Sequence, residues 1–169
     1  MKKILLSVAA VFAFGIASAQ DGMSFGAKAG FTSLSQKIDI DGLGSGTESE
    51  SGFFVGMFAE FGVSESLTFK PEVLYVSVED LGQIQIPLHL RYNIAEGFGL
   101  MAGPNVAFLM DVPDGYKSLN YGIDLGASYN ITEALLVDAR YNIGLANISD
   151  VDGVDSKLSG FYVGLGYRF

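Results

Sequence analysis

The sequence predicts an all-β fold, an eight-stranded antiparallel up-and-down transmembrane β-barrel preceded by a cleavable signal peptide. Three observations carry this. Apolar and polar residues alternate in eight separate stretches, and the connections between those stretches alternate between short and long. The chain also ends on Phe161, Val163, Leu165, Tyr167 and Phe169, with Tyr162, Gly164, Gly166 and Arg168 between them. A last strand that is greasy on one face and small or polar on the other suits a wall with lipid outside and a narrow lumen inside.

The N-terminus reads as an export signal. Lys2 and Lys3 precede an apolar run from Ile4 to Ile16, and Ala17-Ser18-Ala19 gives a small-x-small cleavage site before Gln20. The run is shorter than the roughly 20 residues a membrane helix needs. The expected organisation is residues 1–19 as signal peptide and 20–169 as one barrel domain. With no cysteine, a lipid-modified N-terminus, a disulfide framework and a thiolate metal site are all excluded.

The strands follow in order. The first spans Ser24 to Thr32, with Phe25, Ala27, Ala29 and Phe31 outward and Lys28 inward. The second, Phe53 to Val63, turns Gly56, Phe58 and Glu60 inward, and the third, Leu67 to Val78, turns Thr68, Lys70, Glu72 and Leu74 inward. In the fourth, Ile84 to Tyr92 alternate with Gln85, Pro87, His89 and Arg91. The fifth (Phe98 to Leu109), sixth (Leu119 to Tyr129) and seventh (Leu135 to Leu145) place Asn105, Asp124, Asp138 and Arg140 inside, and the eighth is the terminal strand. Short turns fall at 64–66, 93–97 and 130–134; longer loops are expected at 34–52, 110–118 and 146–157, with a tight turn at 80–83. Pro71, Pro87 and Pro104 sit mid-strand, where each removes a ladder donor.

Composition agrees with a membrane wall. Hydrophobic residues make up 49% of the chain and charged residues 17%, yet no other apolar stretch is long enough for a helix, so a membrane protein of this sequence must be a closed barrel. Without Lys2 and Lys3, eight Lys and Arg face 19 Asp and Glu, which excludes a nucleic-acid binder needing a basic stripe. Outward aromatics form two belts: Phe61, Phe69, Tyr92, Phe98, Tyr129 and Phe169 near the short turns, and Phe31, Phe53, Tyr75, Phe108, Tyr121 and Phe161 near the loops. Their separation within strands corresponds to roughly 20–25 Å of height, that of the apolar band.

Phe69-Lys70-Pro71-Glu72-Val73-Leu74-Tyr75, Ile86-Pro87-Leu88, Ala102-Gly103-Pro104, Asp138-Ala139-Arg140-Tyr141-Asn142 and Gly164-Leu165-Gly166-Tyr167-Arg168-Phe169 resemble strand signatures of the outer membrane protein β-barrel domain family. That family includes PorT-like proteins and is similar in architecture to OmpX and the OmpA barrel. The resemblance covers nearly all of the mature region. It implies an outer-membrane location and carries over no catalytic residue.

Inward charges can be paired by a simple rule, since residues opposite each other in a hairpin have a constant index sum. Turns centred on Glu65, between Leu81 and Gly82, and on Thr132 place Glu60 opposite Lys70, Glu72 opposite Arg91, and Asp124 opposite Arg140. Such charges must be paired in a lumen packed with side chains. An ion path along the pairs is the alternative, and a soluble periplasmic lipocalin-like barrel, with its apolar faces inward, is a second. Catalysis is not expected: His89 is the only histidine, it lies inward near Arg91, and no serine sits in a nucleophile-elbow context.

The outer loops are acidic. Asp150, Asp152 and Asp155 form a fragment of calcium-loop character that lacks the terminal Glu, so it is a candidate divalent-ion loop only. No cofactor or resident metal is expected. Tyr167 and Phe169 are read as the terminal signal for the barrel-assembly machinery. Expected partners are that machinery, outer-membrane lipid and an extracellular protein met through the loops, with a monomer favoured. The expected role is structural or partner-binding, in the cell outer membrane after export.

Overall fold

The computed structural model describes residues 23–40, 44–79, 81–110, 112–113, 115–151 and 153–169. The expected signal peptide and its cleavage site at Ala19 and Gln20 lie outside the described residues. Eight strands run in chain order: β1 Met23–Ile40, β2 Gly44–Gly62, β3 Leu67–Val78, β4 Leu81–Ala95, β5 Phe98–Met110, β6 Leu119–Asn130, β7 Leu135–Gly144 and β8 Val154–Arg168. Each pairs antiparallel with its neighbour, and β8 returns to β1, so the sheet closes on itself. The last residue is held in the ladder's continuation, with Phe169 N–H donating to the Phe25 carbonyl at 2.9 Å.

Closure sorts the side chains by parity. Phe31, Phe53, Tyr92, Leu100, Tyr121, Leu125, Tyr141, Leu165 and Phe169 are exposed on the outside, while Lys28, Lys70, Glu72, His89, Asp124 and Arg140 are buried within. Apolar faces outward and charge inward is the arrangement of a wall in hydrocarbon, and the opposite of a lipocalin-like ligand barrel. The interior is also layered, which the alternation alone does not reveal. Toward the long-strand end, Leu34, Phe54, Leu74, Val76, Val78, Leu109, Ile148, Leu158 and Tyr162 pack into one apolar cluster. The charged side chains lie below it.

Three expectations are corrected. The stretch expected as a loop from Leu34 to Gly52 is mostly strand: β1 and β2 stay in register from Met23↔Phe61 to Ile40↔Gly44. A strand wetted on both faces loses apolar alternation while keeping its ladder, so its sequence resembles that of a loop. Asp39, Glu48 and Glu50 therefore belong to this paired arm. The turn expected at 80–83 lies earlier, since Val78 pairs with Leu81 and Glu79 adopts φ 45°; Asp80 lies outside the described residues. The β6–β7 turn is also displaced, with Asn130 opposite Leu136 and Gly126 opposite Arg140.

The prolines interrupt pairing without shifting it. Pairing between β2 and β3 passes from Phe58↔Glu72 to Phe61↔Phe69, and between β3 and β4 from Pro71↔Leu88 to Leu74↔Gln85, each at constant index sum. Likewise β4 and β5 pass from Pro87↔Asn105 to Leu90↔Ala102. Missing donors, not bulges, mark these rungs. The one β4–β5 register shift lies between Asn93 and Ala95, beside a turn in which Gly97 takes φ 73°.

Close strand approach makes Gly103 restrictive: a Cβ there would lie 1.9 Å from the Leu88 carbonyl oxygen, whereas a Cβ at Gly46, in the arm, meets nothing within 4 Å. Gly103→Val is expected to lower stability by about 3 kcal/mol and Gly46→Ala to leave it unchanged, as read by urea unfolding on unboiled gels. Equal midpoints for the two variants would contradict this packing.

Candidate functional site

The inward residues of β1, β2, β3, β4, β6, β7 and β8 build one charged network across the lumen, and Glu72 on β3 is its hub. Its carboxylate lies 3.1 Å from Lys28 Nζ, 3.5 Å from Lys70 Nζ and 3.1 Å from the Arg140 guanidinium. Asp138 adds a second anion, 2.7 Å from Lys28 Nζ and 3.8 Å from Lys70 Nζ. Asp124 accepts from Asn142 at 2.6 Å and Asn105 at 3.1 Å, and lies 3.4 Å from Arg140. Toward the short turns, Glu60 meets Arg168 at 2.6 Å and Lys70 at 3.7 Å.

Aromatic faces complete the solvation of the cations. Lys70 Nζ sits 4.4 Å from the Phe58 ring centre, and the Arg140 guanidinium lies 4.5 Å from that of Tyr162. Tyr162 in turn accepts from Gln85. Four carboxylates therefore face four interleaved cations, with side chains 14% exposed or less. Charges removed from water to this degree are tolerable only when so paired.

The sequence-derived pairs map onto this network unevenly. Glu60 and Lys70 meet, in the strand pair whose register follows the expected sum of 130. Asp124 and Arg140 meet diagonally, because Asp124 is opposite Asn142 and Arg140 opposite Gly126. Glu72 and Arg91 do not meet. The β3–β4 turn is two residues earlier than assumed, so Arg91 lies opposite Thr68 and bonds Ser128, Asn93 and the Gly97 carbonyl instead. Arg91 is thus also not the neighbour that sets His89. His89 lies 2.8 Å from Asp124 through Nε2 and 3.8 Å from Glu72 through Nδ1, fully buried.

Lys28, Asp138 and Arg168 were missed as members. Their inward parity was readable, but Lys28 and Asp138 reach partners through the lumen, and a hairpin rule sees only neighbours. Arg168 joins Glu60 only because β8 and β2 flank β1.

The candidate ion loop differs in kind. Lys117 Nζ donates to the Ser149 carbonyl at 2.9 Å and lies 3.8 Å from Asp150, while Asp155 accepts from Asn147 at 2.5 Å. These groups line an open hollow of about 300 Å³, and a resident lysine already supplies the positive charge. Among the described residues no three acidic or imidazole groups converge on a metal position; Asp152 is not among them. Tyr167 and Phe169 stand outward at the short-turn rim with their rings 6.1 Å apart.

Removing the hub's charge leaves three cations facing fewer anions. Glu72→Gln is expected to destabilise the refolded barrel by about 3–5 kcal/mol, whereas Asp150→Asn on the exposed loop should shift it by less than about 0.5 kcal/mol. Urea midpoints of the two variants in one lipid check the difference.

The model of the outer membrane protein beta-barrel domain matches residues 4–169. A search of curated proteins finds no match. Among solved structures, the chain is similar to Ail, the attachment invasion locus protein of Yersinia pestis. The two are 16% identical over 89% of this chain and 100% of that one, with a TM-score of 0.51. The same protein in complex with the heparin analogue sucrose octasulfate scores 0.50, at the same identity and coverage. Neisserial surface protein A is 21% identical over 88% of this chain and 100% of that one, with a TM-score of 0.50. At these identities the likeness shows the shared barrel fold.

Proposed function

The chain belongs to the outer membrane protein β-barrel domain family, and from that membership we infer an exported envelope protein that works through its long-strand rim and not through its lumen. One observation carries the reading: three strands continue beyond the rest of the wall. Residues 33–40, 44–51 and 154–159 stay paired above the last β2–β3 rung, Gly52↔Val78, and the last β7–β8 rung, Asn142↔Gly160. Residues 44–49 have β1 on one side and, among the described residues, no strand on the other. An ordered sheet with an open edge offers a partner backbone bonds without prior folding. Ail, the attachment invasion locus protein of Yersinia pestis, is a barrel of similar fold and has been captured with a heparin analogue.

The lumen argues against transport as the main role. A solute would have to part the Glu72 network and then the apolar cluster of Phe54, Leu74, Val76 and Leu158 above it. Charge below and hydrocarbon above give an ion no continuous hydrated path. The same burial argues against catalysis: the His89–Asp124 contact is sealed from substrate, and Ser128 is occupied by Arg91. Export by the N-terminal signal of residues 1–19, with Ala19 and Gln20 at the cut, and delivery through Tyr167 and Phe169 complete the reading.

Two measurements test it. The reconstituted protein should be silent in planar bilayers; discrete conductance would favour the ion-path alternative. A variant with residues 35–49 replaced by a two-residue turn should still shift between unboiled and boiled gels but fail to restore surface attachment to a deletion strain. Full restoration would assign the role to the wall itself.

A further inference from the structure

The eight Lys and Arg of residues 23–169 are distributed in an informative way. Lys28, Lys70, Arg91, Arg140 and Arg168 point into the lumen, and Lys117 bonds within its loop. The remaining two, Lys37 and Lys157, are direct cross-strand partners on β1 and β8. Both lie on the outward face, because Leu34 and Leu158 of the alternate parity are buried inside and Phe31 and Phe161 of the same parity are exposed. Like charges directly opposite each other destabilise a strand pair. Within the chain the offset is slight: Lys37 lies 3.9 Å from Asp39, both more than half exposed, and Lys157 has no ion pair or hydrogen bond among the described residues.

The rungs around them are ordered by height. Below the lysines, toward the membrane, lies a hydroxyl rung of Ser35 and Ser159, with Ser49 2.7 Å from Ser35 Oγ on the other side. Below that comes the outward aromatic belt of Phe31, Phe53 and Phe161. Above the lysines, Asp39 faces Asp155. Lys157 is four residues from Phe161, about 10 Å of height for a strand tilted near 40°, and a lysine chain bends down toward the interface. That is the level of lipid phosphate.

We propose that Lys37 and Lys157, with the hydroxyls of Ser35, Ser49 and Ser159, form a binding face for the phosphate of an outer-leaflet lipid. Two ammonium groups and flanking O–H donors match a phosphate's charge and acceptors, and the anion relieves the repulsion of the lysine rung. The acidic rung above bars the anion from sliding outward and sets the depth of the barrel. The inference rests on membership of the outer-membrane family; it shares Ser49 with the partner-binding edge, and its own test substitutes the lysines and leaves that edge in place.

The test uses the full refolded barrel in detergent, with retained lipid counted by native mass spectrometry. Phosphatidic acid is compared with phosphatidylcholine of the same acyl chains. Wild type should prefer phosphatidic acid by about thirtyfold, the ratio two lysines near an anionic surface supply. Lys37→Ser/Lys157→Ser should lose that preference, while Lys117→Ser and Lys37→Arg/Lys157→Arg keep it. Equal retention of the two lipids by wild type, or an undiminished preference in the double serine variant, overturns the proposal. Inorganic phosphate displacing the lipid at equal concentration would assign the site to free phosphate and overturn it as well. If the serine variant fails to shift on unboiled gels, Lys37→Gln/Lys157→Gln is read in its place with the same two outcomes. A wild-type protein that fails the gel shift would instead refute the membrane barrel itself.

Discussion

The meeting of β8 with β1 is the constraint from which the rest follows. Hydrocarbon offers no partner to a free backbone N–H or carbonyl, so a sheet crosses it only when its two edges satisfy each other. Pairing from Gly26↔Arg168 to Ile40↔Val154 does this along the full length of β8, and the Phe169 amide extends it by one bond. Once closed, eight strands fix a bore about as wide as the side chains that point into it. Most of the charged inward residues then find their partners among the other inward residues.

That pairing explains the composition of the lumen. Glu72 holds Lys28, Lys70 and Arg140 from three different strands, so it acts as a tie across the cylinder as well as a neutralised charge. The rungs weakened by Pro71 and Pro87 lie next to it along the wall. Where backbone ladders lose donors, the crossing ion pairs supply lateral cohesion from the inside. The apolar cluster above has a different task. Arm and wall meet there, and Leu34, Leu158 and Ile148 cover the mouth of the bore with side chains that need no partners.

How much of this was legible in the sequence depends on whether a feature is local. The strands and their lipid faces were readable, because hydrocarbon enforces strict alternation and Phe31, Tyr92 or Phe161 cannot slip inward unnoticed. The register was readable only where the turn was. Ser64-Glu65-Ser66 is an unambiguous polar break and gives the observed sum of 130. Glu79 in a left-handed conformation is not a residue that advertises a turn, so the sequence places the β3–β4 turn too late and sets Glu72 against Arg91. Lys28 to Glu72 is a contact between β1 and β3 through the lumen, a distance no hairpin arithmetic measures. The arm was missed for another reason: with water on both faces, residues 44–51 have no greasy side to betray the strand.

The arm also shows how one continuous ladder can serve three environments. Along β1 the outward residues read Phe31, Ser33, Ser35, Lys37, Asp39, passing from ring to hydroxyl to cation to anion, and β8 repeats the order as Phe161, Ser159, Lys157, Asp155. Cross-strand matching by charge would have set lysine against aspartate. Matching by height sets like against like, at a cost to the strand pair itself. A sequence keeps such an arrangement only if the vertical order matters more than the lateral one, and vertical order is what a layered solvent selects. On the lipid-binding proposal the outward side of the arm is patterned by depth in the membrane interface, while the edge at residues 44–48, with no strand beyond it among the described residues, lies above the hydroxyl rung.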